Sequence, residues 1–210
     1  MSRLLTLLNA YGLNDMAITS TTFANRPAAS AATDKIYYFS DIGGGTLFIS
    51  NGSVWKPLGR CFLASSAVAS ATLSGTTTET TFVTVNVPGG LMTANGSLQI
   101  TCTNSGNNSA NSKTLRIRLG GASGTVFLQA GSTTLISQQA TAIITNRNAQ
   151  NSQFGMSAGS AGYGQSSGAG VTGAIDTSAD TTLVITGQLQ SAGAGEEMTL
   201  LRHMVELIIP

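Results

Sequence analysis

From residue 61 onward the apolar residues of this chain recur at every second position, in short runs broken by Gly, Pro and Asn. Period two puts alternate side chains on opposite faces, so the pattern specifies half-buried β-strands. In "TTFVTVNV" Val83, Val85 and Val87 face one way, and Phe82, Thr84 and Asn86 the other. "GSLQITCT" turns Leu98, Ile100 and Cys102 inward, and "KTLRIRLGG" sets Leu115, Ile117 and Leu119 against Thr114, Arg116 and Arg118. "TLVITGQLQ" repeats the form with Leu183, Ile185 and Leu189. "PGG" at 88–90 reads as a turn, and the polar "TNSGNNSANS" at 103–112 as a connection with almost nothing to bury. No helical period persists over ten residues after residue 16, so the expected class is all-β, with residues 61–210 forming a jelly-roll β-sandwich.

The last strand, "MTLLRHMVELII", departs from the rule. Leu201, Val205, Leu207 and Ile209 occupy one parity, and Met198, Leu200, Met204 and Ile208 the other. Burial on both faces is expected, by a second layer or a second subunit, which makes Met204 an interface candidate.

Residues 34–59, "DKIYYFSDIGGGTLFISNGSVWKPLG", give three short strands joined by a glycine turn at 43–45 and a type I′ turn at Asn51-Gly52. Residues 20–33 lack periodicity and read as an extended connector, so 20–60 is a small β module. A fold below about 40 residues usually needs a disulfide, a metal or oligomerisation. The module has no disulfide or metal candidates, so Tyr37, Phe39, Phe48 and Trp55 are expected to be buried between copies of the chain.

Residues 1–19 are expected to contain a short amphipathic helix, with Leu4, Leu8 and Tyr11 sharing a face beside Leu5 and Leu7. This apolar run is shorter than the roughly 7–15 residues of a secretory core. No stretch approaches the roughly 18 apolar residues of a membrane span, so no membrane insertion is expected. Isolated helices below about 12–15 residues are marginal in water, so the segment calls for a surface to hold it.

Charged residues make up only 9% of the chain, against about 25% in ordinary soluble domains. Ten Lys and Arg against nine Asp and Glu leave a formal charge of +1, and no basic run exists to contact phosphates, so no nucleic-acid partner is expected. Cys61 and Cys102 follow no metal spacing and read as buried thiols. His203 lies in an apolar strand without a nucleophile beside it and reads as structural. The glycines at 43–45 precede a strand rather than a helix, which favours a hairpin over a phosphate cradle. Glu196 with Glu197 reads as a solvated turn, and Asp176 with Asp180 as another, with calcium the alternative for the second pair. The Asn51, Asn95 and Asn107 sequons read as Asn-rich turns. Residues 152–173 form a long small-residue loop whose Phe154 and Tyr163 are candidates for receptor contact. No catalytic constellation, cofactor site or metal site is expected, and the chain is read as a non-enzyme.

"NRPAASAATDKIYYFSDIGGGTLFISNGSVWKPLG" resembles a small β module of fibre and appendage proteins from tailed bacteriophages, where an Arg-Pro entry, an "IYY" strand, a Gly-rich turn and an "NGS-W" hairpin occur in this order. The body, from "FVTVNVPGGLMTANGSLQI" to "TLLRHMVELI", is similar to jelly-roll domains of the same class of virion proteins. The resemblance implies a homotrimeric structural protein of the virion, assembled in the bacterial host cytoplasm. A short tail fibre or fibre-like appendage is the first expectation; a head-decorating fibre or a host-glycan-binding module is the alternative. Residues Leu4, Leu5, Leu7, Leu8 and Tyr11 are then expected to anchor the trimer to a neighbouring tail or capsid protein. Trp55, Arg116, Arg118 and Met204 are expected at the trimer interface, the two arginines facing Glu196, Glu197 or Glu206 of another subunit.

Overall fold

The computed structural model describes residues 18–156 and 170–210. The expected N-terminal helix, with Leu4, Leu5, Leu7, Leu8 and Tyr11, lies outside the described residues, as does Tyr163. The described chain is all-β and forms several sheets, with two single 3-10 turns as its only helical residues. It divides into two compact units, Met1–Cys61 and Phe62–Pro210.

The first unit is a four-stranded sheet in the order β1-β2-β3-β4, where three strands were expected. Its strands are β1 (Thr19–Thr21), β2 (Ile36–Phe39), β3 (Thr46–Ser50) and β4 (Trp55–Pro57). The extra strand comes from the connector, where β1 pairs in parallel with β2. The connector then makes a 3-10 turn at Phe23–Asn25 that inserts the Phe23 ring edge-on to Phe39, 5.1 Å between centroids. The Phe23 amide donates to Asp41 Oδ1 at 2.8 Å, which fixes the entry of that turn. Trp55 packs 5.0 Å from Tyr37 and 5.5 Å from Phe39, and its Nε1 donates to the Pro27 carbonyl at 3.1 Å.

These contacts correct the expectation that the aromatic residues wait for another copy of the chain. Phe39 and Phe48 are fully buried and Trp55 nearly so within a single chain. Phe23 and the Pro27 carbonyl, both from the connector, supply the missing partners. Burial of four large aromatic side chains at about 1.5–3 kcal/mol each explains how so small a sheet holds one face closed.

The turns show what glycine does here. Gly43, Gly44 and Gly45 all have positive φ, and a Cβ on Gly45 would overlap the Tyr38 ring. At 51–54 the expected type I′ turn is absent: Asn51 is not among the positive-φ residues, and Gly52 alone is left-handed, at φ 86°. The Asn51 side chain instead accepts from the Ser53 and Val54 amides at 3.0 and 2.8 Å, an Asx-type closure that frees Asn51 from the left-handed region.

The second unit holds two sheets. The smaller runs β10 (Thr125–Ser132), β9 (Lys113–Leu119), β14 (Thr181–Leu189), β7 (Thr80–Val87). The larger runs β13 (Gly170–Gly173), β12 (Gln153–Met156), β11 (Ser137–Asn146), β8 (Ser97–Gly106), β15 (Glu197–Ile208), β5 (Cys61–Ser66). A short β6 (Leu73–Ser74) also pairs with β15. Leu98, Ile100 and Cys102 of β8 and Leu115, Ile117 and Leu119 of β9 are all fully buried, which closes the two inner faces on each other. Glycine lets the two sheets meet at Phe127: a Cβ on Gly155 of β12 would stand 2.7 Å from the Phe127 ring of β10.

β15 takes its inward apolar residues from both sequence parities. Leu200 lies opposite Asn104 of β8 and Arg202 opposite Thr103, so Leu201 is the extra residue of a β-bulge. Before the bulge Met198 and Leu200 are buried; after it His203, Val205 and Leu207 are. The inserted residue switches parity, and one inner face takes apolar residues from both sets. On the outward side Met204 is half-buried and Glu206 buried, and Leu201 and Ile208 are exposed.

β8 also runs further than expected, through residues 103–106 of the polar stretch read as a connection. Asn104 is fully buried there, and neither polar atom of its amide has a hydrogen-bond partner.

Candidate functional site

The outward face of β9 carries the densest ionic cluster among the described residues. Strand alternation sends Thr114, Arg116 and Arg118 outward while Leu115, Ile117 and Leu119 go inward. Arg116 lies opposite Gln129 of β10 and Thr186 of β14, so its neighbours are fixed by register. Arg118 grips Glu79 with two parallel bonds, Nε to Oε1 and Nη2 to Oε2, both 2.8 Å. Arg116 reaches the same carboxylate with Nη1 at 3.3 Å and donates to Gln188 Oε1 and Gln129 Oε1 at 2.8 Å each. Thr186 Oγ1 donates to Glu79 as well. The two-pronged geometry suits the planar guanidinium and adds orientation to attraction.

This corrects the expected partners. The acid facing Arg116 and Arg118 is Glu79 of the same chain, not Glu196, Glu197 or Glu206. One carboxylate lies between two like charges two residues apart, which removes the repulsion that suggested an intersubunit acid. The Arg118 hydrogen bond, followed by Thr186 and the Arg116 charge, holds the Glu79 carboxyl below its usual range against the opposing effect of burial. The same bond raises Arg118. A carboxylate so held stays ionised and is a poor proton acceptor at neutral pH, so the cluster fastens β9 to the segment before β7 rather than offering a base. Glu79 was legible: it is the only acid between Asp41 and Asp176.

A second ionic site lies at the start of β9. The inward parity of Leu115 and Ile117 also belongs to Lys113, which is fully buried. Its Nζ meets Glu196 Oε2 at 2.9 Å and donates to the Asn111 carbonyl at 3.0 Å and to Ser109 Oγ. Asn111 Nδ2 and Ser109 Oγ donate to the same carboxylate, each at 2.9 Å. Asn111, then Lys113 and Ser109, bring the Glu196 carboxyl down to about 2. Glu196 is therefore a buried anchor for the 107–112 turn, not the solvated charge expected from "GEE".

The remaining candidates do not converge. Trp55 belongs to the first unit's core, Arg116 and Arg118 to the outward face of the smaller sheet, and Met204 to that of the larger sheet. Phe154 is exposed with the Arg147 guanidinium 5.4 Å from its ring centroid, and its expected companion Tyr163 lies outside the described residues. Asp176 accepts from the Ser178 amide and hydroxyl, and Asp180 from the Gly89 amide at 2.8 Å, so the two close separate turns. Among the described residues no three His, Cys, Asp or Glu side chains are grouped to hold a metal. Cys61 and Cys102 are buried and form no disulfide, and burial pushes the Cys102 thiol up to about 12. His203 lies opposite Cys102 on the inner face, and burial holds its imidazole below the usual range.

No protein-family model and no curated relative matches the sequence. Among solved structures the chain is similar to one described as the structure of infectious bursal disease virus Gx strain, at TM-score 0.29 and 10% identity. That alignment covers 75% of this chain and 43% of the viral one, so this chain spans less than half of its neighbour's length. A likeness of that size assigns neither fold family nor function.

Proposed function

We propose that the chain is a non-enzymatic structural protein of a tailed-bacteriophage virion: a trimeric short fibre or fibre-like appendage, anchored to the particle by its N-terminal segment. The observation that carries this reading is a small β module followed by a sandwich of a particular strand order. Counted in chain order without β6, β12 and β13, the eight remaining strands of the second unit lie as 1-8-3-6 in one sheet and 2-7-4-5 in the other. That order supports a jelly-roll reading, in which a long antiparallel ribbon pairs 1 with 8, 2 with 7, 3 with 6 and 4 with 5 and rolls across two sheets. It supports the resemblance carried by "IYYFSDIGGG" and "NGSVWKPLG" to the modules of phage appendages.

A head-decorating fibre uses the same parts and is the second reading. Host-glycan binding has less support, because aromatics are 6% of the chain and six of them, Phe23, Tyr37, Tyr38, Phe39, Phe48 and Trp55, belong to the small module. Protein mass spectrometry of purified particles tests the proposal: the chain should be present in a copy number divisible by three. Its absence from particles of a phage that encodes it would end the reading. Light scattering of the isolated protein should give three times 21.4 kDa.

A further inference from the structure

The two outward faces of the second unit differ in kind. That of the smaller sheet is ionic, with Arg116 and Arg118 held on Glu79. On the larger sheet every outward residue of β8 from Ser97 to Ser105, and of β11 from Ser137 to Thr145, is uncharged. The outward charges of β15 are Glu197 and Arg202 toward one end, and Glu206, which is buried.

Strand register gathers apolar side chains at the other end of this face. Thr145 lies opposite both Phe154 and Ser97, and Ser97 opposite Ile208. Gln99 lies opposite Ile143, and Thr101 opposite Met204. Phe154, Ile143, Met204 and Ile208 therefore surround the Ser97–Thr101 stretch of β8. Ile143, Ile208 and Phe154 are exposed at 49%, 43% and 38%. Ser97 Oγ and Thr145 Oγ1 share a hydrogen bond at 2.8 Å, which lowers the cost of taking both hydroxyls out of water. An apolar centre, few charges and a polar rim are the anatomy of a subunit contact.

We propose that this face is where copies of the chain meet, turned toward the axis of the trimer. The inference rests on the trimeric reading above and adds the surface that closes it. The strands from β13 to β15, at about 4.8 Å spacing and about 3.3 Å per residue, present roughly 600 Å² in projection. Projecting side chains raise the accessible area above that figure, so the face has the size of a stable contact, about 800 Å² per partner. Its neutrality favours another copy over a partner of opposite sign, because a neutral face meets itself without bringing like charges together. Of the residues expected at the trimer interface, Met204 lies here.

Sedimentation of the full-length protein at micromolar concentration tests the assignment. The wild type should run at three times 21.4 kDa. Ile143→Glu should show a threefold fall in mass with unchanged far-ultraviolet circular dichroism, while Asn86→Glu, on the outward side of β7, should stay trimeric. Should Ile143→Glu fail to fold, Ile208→Glu, at the end of β15, gives the same reading. A folded variant of either kind that remains trimeric overturns the assignment and leaves the trimer standing, whereas a monomeric wild type ends both. Trimeric variants that no longer enter particles would overturn it too, by giving the face to another virion protein.

Discussion

Lys113 and Glu196 hold each other at 2.9 Å across 83 residues of sequence, the lysine wholly out of contact with water. A buried cation keeps its charge only while a carboxylate and other acceptors surround it, and here Glu196, Ser109 and the Asn111 carbonyl do so. Removing the acid alone strands the cation. Glu196→Gln should therefore lower the melting temperature more than Lys113→Met does, and the double variant should recover part of the loss. Thermal unfolding of the three proteins checks this; a double variant less stable than Glu196→Gln would contradict it.

Glu79 is the common acceptor for Arg116, Arg118 and Thr186. Glu79→Gln should cost about 1–2 kcal/mol of unfolding free energy, the range for a partly exposed, well-aligned charged pair. Replacing both arginines by Glu should destabilise the subunit itself, since three acids would then meet. Denaturant titration measures both effects. A loss of assembly with unchanged subunit stability would return the arginines to the subunit boundary.

Asn104 is fully buried with its amide unpartnered, on the inner face of a strand whose other inward residues are apolar. Asn104→Leu should raise stability by about 1–2 kcal/mol, because it replaces an unmade hydrogen bond with apolar contact. A decrease would show that the amide is satisfied by a partner such as a buried water.

Acid should unfold the protein in two stages of the same sign. His203 is held below its ordinary range by burial, so the unfolded chain takes that proton first and stability begins to fall below about pH 6.5. Glu79 and Glu196 are held below the usual carboxylate range, so their contributions are complete above about pH 4.3. Those contributions are lost as the pH falls toward the folded values, which for Glu196 is about 2. Denaturation midpoints at pH 7.5, 5.5 and 3.5 should decline in that order, and His203→Gln should flatten the first step. A midpoint that rises between pH 7.5 and 5.5 would contradict the sign.

Strand identity was legible wherever one parity is apolar throughout, as in Leu115, Ile117 and Leu119. The β15 bulge was not, because one inserted residue at Leu201 exchanges the parities and spreads the inward apolar residues over both sequence sets. Phe23 escaped notice because a 3-10 turn delivers it to the core from a segment without periodicity. Lys113 shared the parity of Leu115, yet a buried lysine is convincing only once Glu196 is beside it, a contact that sequence spacing does not reveal. Glu79 needed no contact information, since Arg116 and Arg118 have no other acid within their stretch of the chain.

The most direct measurement of the virion reading is electron microscopy of purified phage particles labelled with an antibody against the second unit. The account predicts label at fixed surface positions on every particle, and loss of that label when Leu4 and Leu8 are both replaced by Glu in a protein that still folds. Particles that carry no label, from a phage that encodes the chain, would contradict it.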